Sequence, residues 1–440
     1  MSKTSFRLVL SLLACWLLTL PAFANSQARI VRLSDVQGSV QIDKNSGLGF
    51  ERAFLNLPVT QGTQLKTGST GRAEIEFEDG STLRLAPNTK VEVTALTSND
   101  AGKHLSVINL SDGMAYVNWL GKSGDIVTLN FSQQKIELAS TAHFRLETTP
   151  SVAKLAVFKG DVDVTGPSET VAVSKKKMAI FDESDNGKST FAKVEQTPFD
   201  SWDKESIEYH DQYAKNNTTP YGYGFSDLGY YGAFSNVAGY GMMWQPYFTG
   251  VGWDPFMDGA WSFYPGMGYM FVSAYPWGWM PYYYGNWMFV PGFGWMWQPG
   301  YFNSFVSVPR YVHPTTAAAV FHPPVPPTGT KQTVIVGHGG PVTGKTTLLS
   351  SRMVVSKGSA GLGIARGSIS DMKHVNSQVA KSGSVEMHST PQFATTSTGR
   401  SSMGSGGYGG ASHASAPMSA GHASGSMSAG HASSGGGSHH

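Results

Sequence analysis

The chain has 440 residues, a formal net charge of +2 and a single cysteine. That length predicts two or three domains, and one cysteine excludes a disulfide framework or a cysteine-built metal centre. The near-neutral charge averages unlike parts: acids concentrate before residue 212, aromatic rings between 221 and 305, and Gly, Ser, Ala and His at the end.

Lys3 and Arg7 precede an apolar run from Leu8 to Leu20, and Ala22-Phe23-Ala24 supplies the small residues of a cleavage site. The pattern predicts a signal peptide over 1–24, cleaved near Ala24. The run is too short to span a bilayer. An exported protein is expected, in the periplasm or associated with the outer membrane or cell surface. Cys15 lies in the leader, so the mature chain would carry no thiol.

Residues 25–196 read as an all-β domain, a roll, sandwich or short solenoid. Ala73, Ile75 and Phe77 alternate with Glu74, Glu76 and Glu78, Asp79-Gly80 turns the chain, and Leu83 and Leu85 alternate on the return. This is the pattern of a hairpin with one wet face, on which Arg72 and Arg84 are expected to pair with the glutamates. Leu155–Phe158, Lys159-Gly160 and Val162 with Val164 predict a second strand pair.

Gly38-Ser39-Val40, Gly71-Arg72-Ala73-Glu74-Ile75-Glu76-Phe77-Glu78-Asp79-Gly80, Leu83-Arg84-Leu85-Ala86-Pro87-Asn88-Thr89 and Val157-Phe158-Lys159-Gly160-Asp161-Val162 together resemble the FecR domain. The resemblance implies an extracytoplasmic β fold. It also implies kinship with inner-membrane regulators that relay a receptor signal to a sigma factor. With no cytoplasmic amino-terminal domain and no membrane helix ahead of it, the carry-over expected here is the fold.

Thr197-Pro198-Phe199-Asp200 reads as a helix start. The aromatic stripe Phe199, Trp202, Tyr209 and Tyr213 predicts one short helix over 197–216 laid on the sheet.

Residues 217–305 repeat with a period of 26: Trp253, Pro255, Gly259, Trp261, Phe263, Pro265-Gly266 and Gly268 recur as Trp279, Pro281, Gly285, Trp287, Phe289, Pro291-Gly292 and Gly294. Gly239–Pro246 is a partial earlier copy. Aromatics on alternate positions about Pro-Gly-x-Gly predict stacked β-hairpins. The copies resemble aromatic cell-wall-binding hairpin repeats and, more closely, the Trp-, Pro- and Tyr-rich segments that follow some exported FecR-type domains. Two readings stay open. The rings are either the glue of hairpins too small to bury a core, or an open stacking platform for sugar faces. On the second reading the ligand-stacking residues are Trp253, Trp261, Trp279, Trp287, Tyr269 and Trp295. Asp254 and Asp258 do not recur, Met280 and Tyr284 standing in their places, so paired-carboxylate catalysis is not expected.

Residues 306–440 are Pro-rich, then Gly-, Ser- and His-rich, and are expected to be disordered. Arg366 is one of eight basic residues from Tyr311 on, against Asp371 and Glu386. Gly339-Gly340-Pro341-Val342-Thr343-Gly344-Lys345-Thr346 satisfies the P-loop expression without a βαβ setting.

The expectation is a mainly β, non-enzymatic envelope protein with no catalytic residues, cofactor or metal site. It would bind or scaffold an envelope glycan, peptidoglycan or lipopolysaccharide, or an envelope protein, and not nucleic acid. The alternative is a FecR-like signalling protein acting on a membrane partner.

Overall fold

The computed structural model describes residues 29–99, 101–122, 124–217, 219, 221–250, 252–300, 305–312, 334–336 and 353–388. The leader, the P-loop-like motif and the terminal histidines lie outside these residues.

The chain is mainly β, as its alternation predicts. The first body begins with β1 (Val31–Gln37), β2 (Val40–Asp43), β3 (Glu51–Arg52), β4 (Pro58–Val59), β5 (Thr63–Thr67) and β6 (Arg72–Glu76). It continues with β7 (Thr82–Leu85), β8 (Lys90–Ser98), β9 (His104–Trp119), β10 (Ile126–Phe131), β11 (Gln134–Leu138) and β12 (Ala142–Thr148). β13 (Val152–Lys159), β14 (Asp161–Thr165), β15 (Thr170–Ser174), β16 (Lys177–Asp182) and β17 (Lys188–Lys193) complete it.

The strands form two layers that meet in the long β9. Its first half pairs with β8 and β10, its second half with β7 and β12. Ile42, Leu65, Val91 and Val93 of one layer and Ile75, Leu83 and Leu85 of the other share one core. β6 and β7 pair as the sequence predicts, with Ala73 opposite Leu85 and Ile75 opposite Leu83. The pair predicted about Lys159-Gly160 does not form. β13 pairs with β12 and β16, whereas β14 pairs with β11 and β15. The turn hands the chain from one layer to the other, a route that short-range alternation cannot distinguish from a hairpin.

Helix α1 (Asp200–Tyr213) follows. It starts at Asp200 rather than Pro198, and Thr197 and Asp200 bind one another at this start: Thr197 N donates to Asp200 Oδ2 at 3.1 Å and Thr197 Oγ1 to Oδ1 at 2.9 Å. Trp202 and Tyr209 are buried, as the stripe predicts.

The aromatic region contains α2 (Phe225–Tyr231) and three hairpins: β18 (Gly232–Val237) with β19 (Gly241–Pro246), β20 (Gly259–Tyr264) with β21 (Gly268–Ser273), and, after α3 (Met280–Tyr283), β22 (Asn286–Val290) with β23 (Gly294–Gln298). These are the three sequence copies. Corresponding residues pair: Trp261 with Phe271 and Phe263 with Tyr269 in one, Trp287 with Trp297 and Phe289 with Trp295 in the next. Gly266, Gly268, Gly292 and Gly294 all adopt positive φ, 77° and 77°, then 82° and 82°. A Cβ at these turns would meet nothing, so backbone conformation rather than crowding requires glycine.

The copies do not stack in one ladder. The first and third join through β19 and β23, with β24 (Tyr311–Val312) beside β22. The second instead pairs with β25 (Val334–Val336). That strand, which precedes the P-loop-like motif in sequence, runs antiparallel to β20 on the hairpin edge.

The predicted disordered tail requires correction between 353 and 388. There β26 (Met353–Ser356) pairs with β27 (Ser384–Met387) around α4 (Met372–Ser382). Asp371 caps α4 by accepting from His374 N, and Met372, Val375 and Val379 form its buried stripe. Gly/Ser-rich flanks obscure this eleven-residue helix in the sequence.

Candidate functional site

The hairpin wet face predicted on β6 is not wet. Glu74 and Glu76 are each 1% exposed and Arg84 is 0% exposed. Helices α1 and α2 and the segment around Arg366 cover them. The same strands therefore face a hydrophobic core on one side and a buried ion network on the other.

Arg32 lies at one end of this network. Its Nη1 reaches Asp227 Oδ2 at 2.6 Å and Glu76 Oε2 at 3.2 Å. Its Nε and Nη2 donate to Asn56 Oδ1, and Nη2 also donates to Pro276 O at 2.9 Å in the aromatic region. Arg84 joins Glu74 at 2.8 Å to Asp203 of α1 at 2.9 Å. Arg366 contacts both sides: Nη1 donates to Glu74 Oε1 at 2.8 Å, while Nε and Nη2 take the two oxygens of Asp227 at 3.1 Å. His210 sits between Glu74, at 3.0 Å, and Ser226 Oγ, at 2.9 Å. His143 contacts Asp203 at 2.7 Å.

Four carboxylates (Glu74, Glu76, Asp203 and Asp227) thus face three guanidiniums (Arg32, Arg84 and Arg366), with the imidazoles of His143 and His210 in contact with Asp203 and Glu74. Buried charges require such pairing, because an isolated ion is heavily penalised in low dielectric. Burial alone would raise Glu74, but the charges of His210 and Arg84 outweigh it and hold the carboxyl well below its ordinary value. At Glu76 burial prevails over His210 and Arg32, and the carboxyl is pushed up. Burial and the adjacent Asp227 push the Tyr209 phenol up, and that hydroxyl donates to Asp227 Oδ1 at 2.7 Å.

Polar links continue from this network into the second hairpin. Asn56 Nδ2 donates to Ser273 O and Tyr275 O, Tyr264 OH to Pro58 O at 2.7 Å, and Lys44 Nζ to Ser262 Oγ at 2.6 Å. The 353–388 segment is fastened similarly: Trp277 Nε1 donates to Ala360 O and Tyr231 OH to Ile364 O, each at 2.6 Å. The network is the joint between the β body, the aromatic region and this segment.

The six rings predicted for stacking lie elsewhere. Trp253, Trp261, Trp279, Trp287 and Trp295 are all buried, Trp295 being the most open at 8%. Tyr269 is half-buried, its ring centroid 5.6 Å from that of Phe263. The rings do not form an open shelf. Two of them pack on Trp277, Trp253 edge-to-face at 6.1 Å and Trp287 tilted at 5.8 Å, while Trp261 lies against Phe271, Trp279 against Tyr283 and Trp295 against Phe256. Of the two readings left open by the sequence, this is the packing one. Trp277 falls outside the aligned repeat positions, which is why the sequence did not single it out. Asp203, Asp227, His210 and Arg366 were also missed, since a lone charge carries no signal until its distant partner is known.

The network thus occupies both the early β strands and the start of the aromatic region. Residues 63–163 match the FecR protein family. Residues 225–326 match a family of unknown function, DUF6600. Glu74, Glu76 and Arg84 belong to the FecR stretch and Asp227 to the second match; Arg32, Asp203, His210 and Arg366 lie outside both. No curated protein matches the chain. Two solved structures similar to part of the chain are each described as a "putative anti-sigma factor" from Parabacteroides distasonis. One shares 16% identity over 32% of this chain and 63% of its own, with a TM-score of 0.28. The other shares 14% over 34% of this chain and 72% of its own, also with a TM-score of 0.28. The chain therefore spans under two thirds of the first of these.

Proposed function

We propose that the chain is an exported, non-catalytic FecR-domain protein with a signalling or regulatory role, working through contact with a membrane or envelope protein. The observation that carries this reading is the FecR match over 63–163. Burial of the indoles supports it over the glycan-binding scaffold, because sugar stacking needs an accessible ring face. The carboxylates of the ion network favour a structural role over catalysis, since each already faces a guanidinium or imidazole in a closed interior. No helix among the described residues is long and apolar enough to cross a membrane. Export rests on the leader pattern over 1–24.

Photo-crosslinking from exposed positions of the β body in intact cells tests the proposal. A membrane or envelope protein recovered in the adduct is the expected result. Labelled glycan with no protein adduct would overturn it. Amino-terminal sequencing of the mature protein, expected to begin near Asn25, tests export separately.

A further inference from the structure

We infer that the edge strand β17 is a docking site for an extended acidic segment of a partner protein, added to the sheet as a further strand. This deepens the proposed signalling role by naming a surface and the chemistry of what it accepts.

Among the described residues β17 pairs with β16 alone, from Lys177 opposite Lys193 to Asp182 opposite Lys188. Its other edge leaves a row of backbone donors and acceptors available for strand addition. The strand reads Lys-Ser-Thr-Phe-Ala-Lys, and Phe191 is 56% exposed. Lys175, Lys176 and Lys177, all exposed, lead into β16, and Lys177 stands opposite Lys193. The opposite end is mixed: Lys188 lies 3.5 Å from Asp185, and Ser189 Oγ donates to Glu169 Oε1 at 2.8 Å.

Lysines on an edge ordinarily prevent a strand from pairing with copies of itself. Two β17 strands meeting antiparallel about the Thr190–Phe191 step would place Lys188 of each opposite Lys193 of the other. Like charges directly across a sheet are unfavourable, so a second copy is disfavoured. A strand carrying carboxylates converts the same positions into attractive pairs. Protection from self-pairing does not need an exposed aromatic ring, whereas a docking edge gains apolar anchorage from one. Phe191 supplies it, with Lys177 Nζ 5.9 Å from the ring centroid.

The test uses the full chain and three fluorescent peptides. One alternates Glu and Val about a central Phe, the second replaces Glu by Lys, and the third is the acidic peptide with N-methylated backbone. The acidic peptide should bind, slowing hydrogen exchange in β17, and the other two should not. Phe191→Ser with Lys193→Glu should weaken it by about tenfold or more, with the far-ultraviolet circular dichroism of the chain unchanged. Equal binding of the N-methylated peptide would reduce the contact to charge alone and overturn strand addition. Binding unaffected by the double variant would place the contact elsewhere and overturn the assignment. Either failure leaves the cellular crosslinking result standing, so the two proposals fail separately.

Discussion

Arg366 and Glu74, 292 residues apart in sequence, share a partly buried hydrogen bond of 2.8 Å. The guanidinium also grips Asp227, so one side chain fastens the 353–388 segment to both family-matched stretches. Arg366→Met should cost about 3–5 kcal/mol, the usual consequence of leaving buried carboxylates without their partner. Arg366→Lys keeps the charge but not the fork that reaches two carboxylates, and should fall between. Denaturant midpoints of the three proteins check the order.

The indoles divide by their polar handle. Trp277 Nε1 donates to Ala360 O, whereas Trp287 Nε1 has no hydrogen-bond partner among the described residues. Trp277→Phe should therefore cost more than Trp287→Phe, by about 1–3 kcal/mol, because it orphans a buried carbonyl. Either residue changed to Ala should cost about 3–5 kcal/mol through the cavity left behind. Calorimetric melting of the four variants separates the two effects.

The repeat glycines should also divide into two kinds. At Gly292, with φ of 82° and open space around it, Ala pays only for the left-handed backbone, about 1–2 kcal/mol, and Asn pays less. At Gly259 a Cβ would lie 2.4 Å from Phe271 Cζ, so Ala must displace a core ring. The melting temperature should fall further for Gly259→Ala than for Gly292→Ala.

These hairpins were legible because everything that defines them is local: alternation fixes which residues pair, and Pro-Gly-x-Gly fixes the turn. The β body was legible for the same reason up to Gly160, where either route satisfies the alternation. The ion network was not. Glu74 and Glu76 have the spacing of a solvated face, and only Arg366, Asp227, His210 and Asp203, brought from far along the chain, make that face an interior. The burial of Trp253, Trp261 and their repeats was undetermined for a related reason. Ring content gives the area available to bury, while the β body and the 353–388 segment decide whether it is covered.

The two central glutamates should respond to pH in opposite senses. Burial raises Glu74, yet the stronger pull of His210 and Arg84 leaves it well below its ordinary value of 4.5. Its stabilisation is present above that value and is lost as pH falls through the lower folded one. Glu76 is raised by burial, so its contribution is complete below 4.5 and is lost as pH rises through the folded value. Glu74→Gln should flatten the acid side of the stability profile and Glu76→Gln the side above 4.5. Denaturant midpoints from about pH 3 to about pH 7 read both.

Acrylamide quenching of tryptophan fluorescence in the mature protein, with and without peptidoglycan fragments or lipopolysaccharide, tests the central claim most directly. Closed indoles predict blue-shifted emission, weak quenching and no change on adding either glycan. Strong quenching that the glycan suppresses would contradict it, because that response requires ring faces open to solvent and covered by sugar.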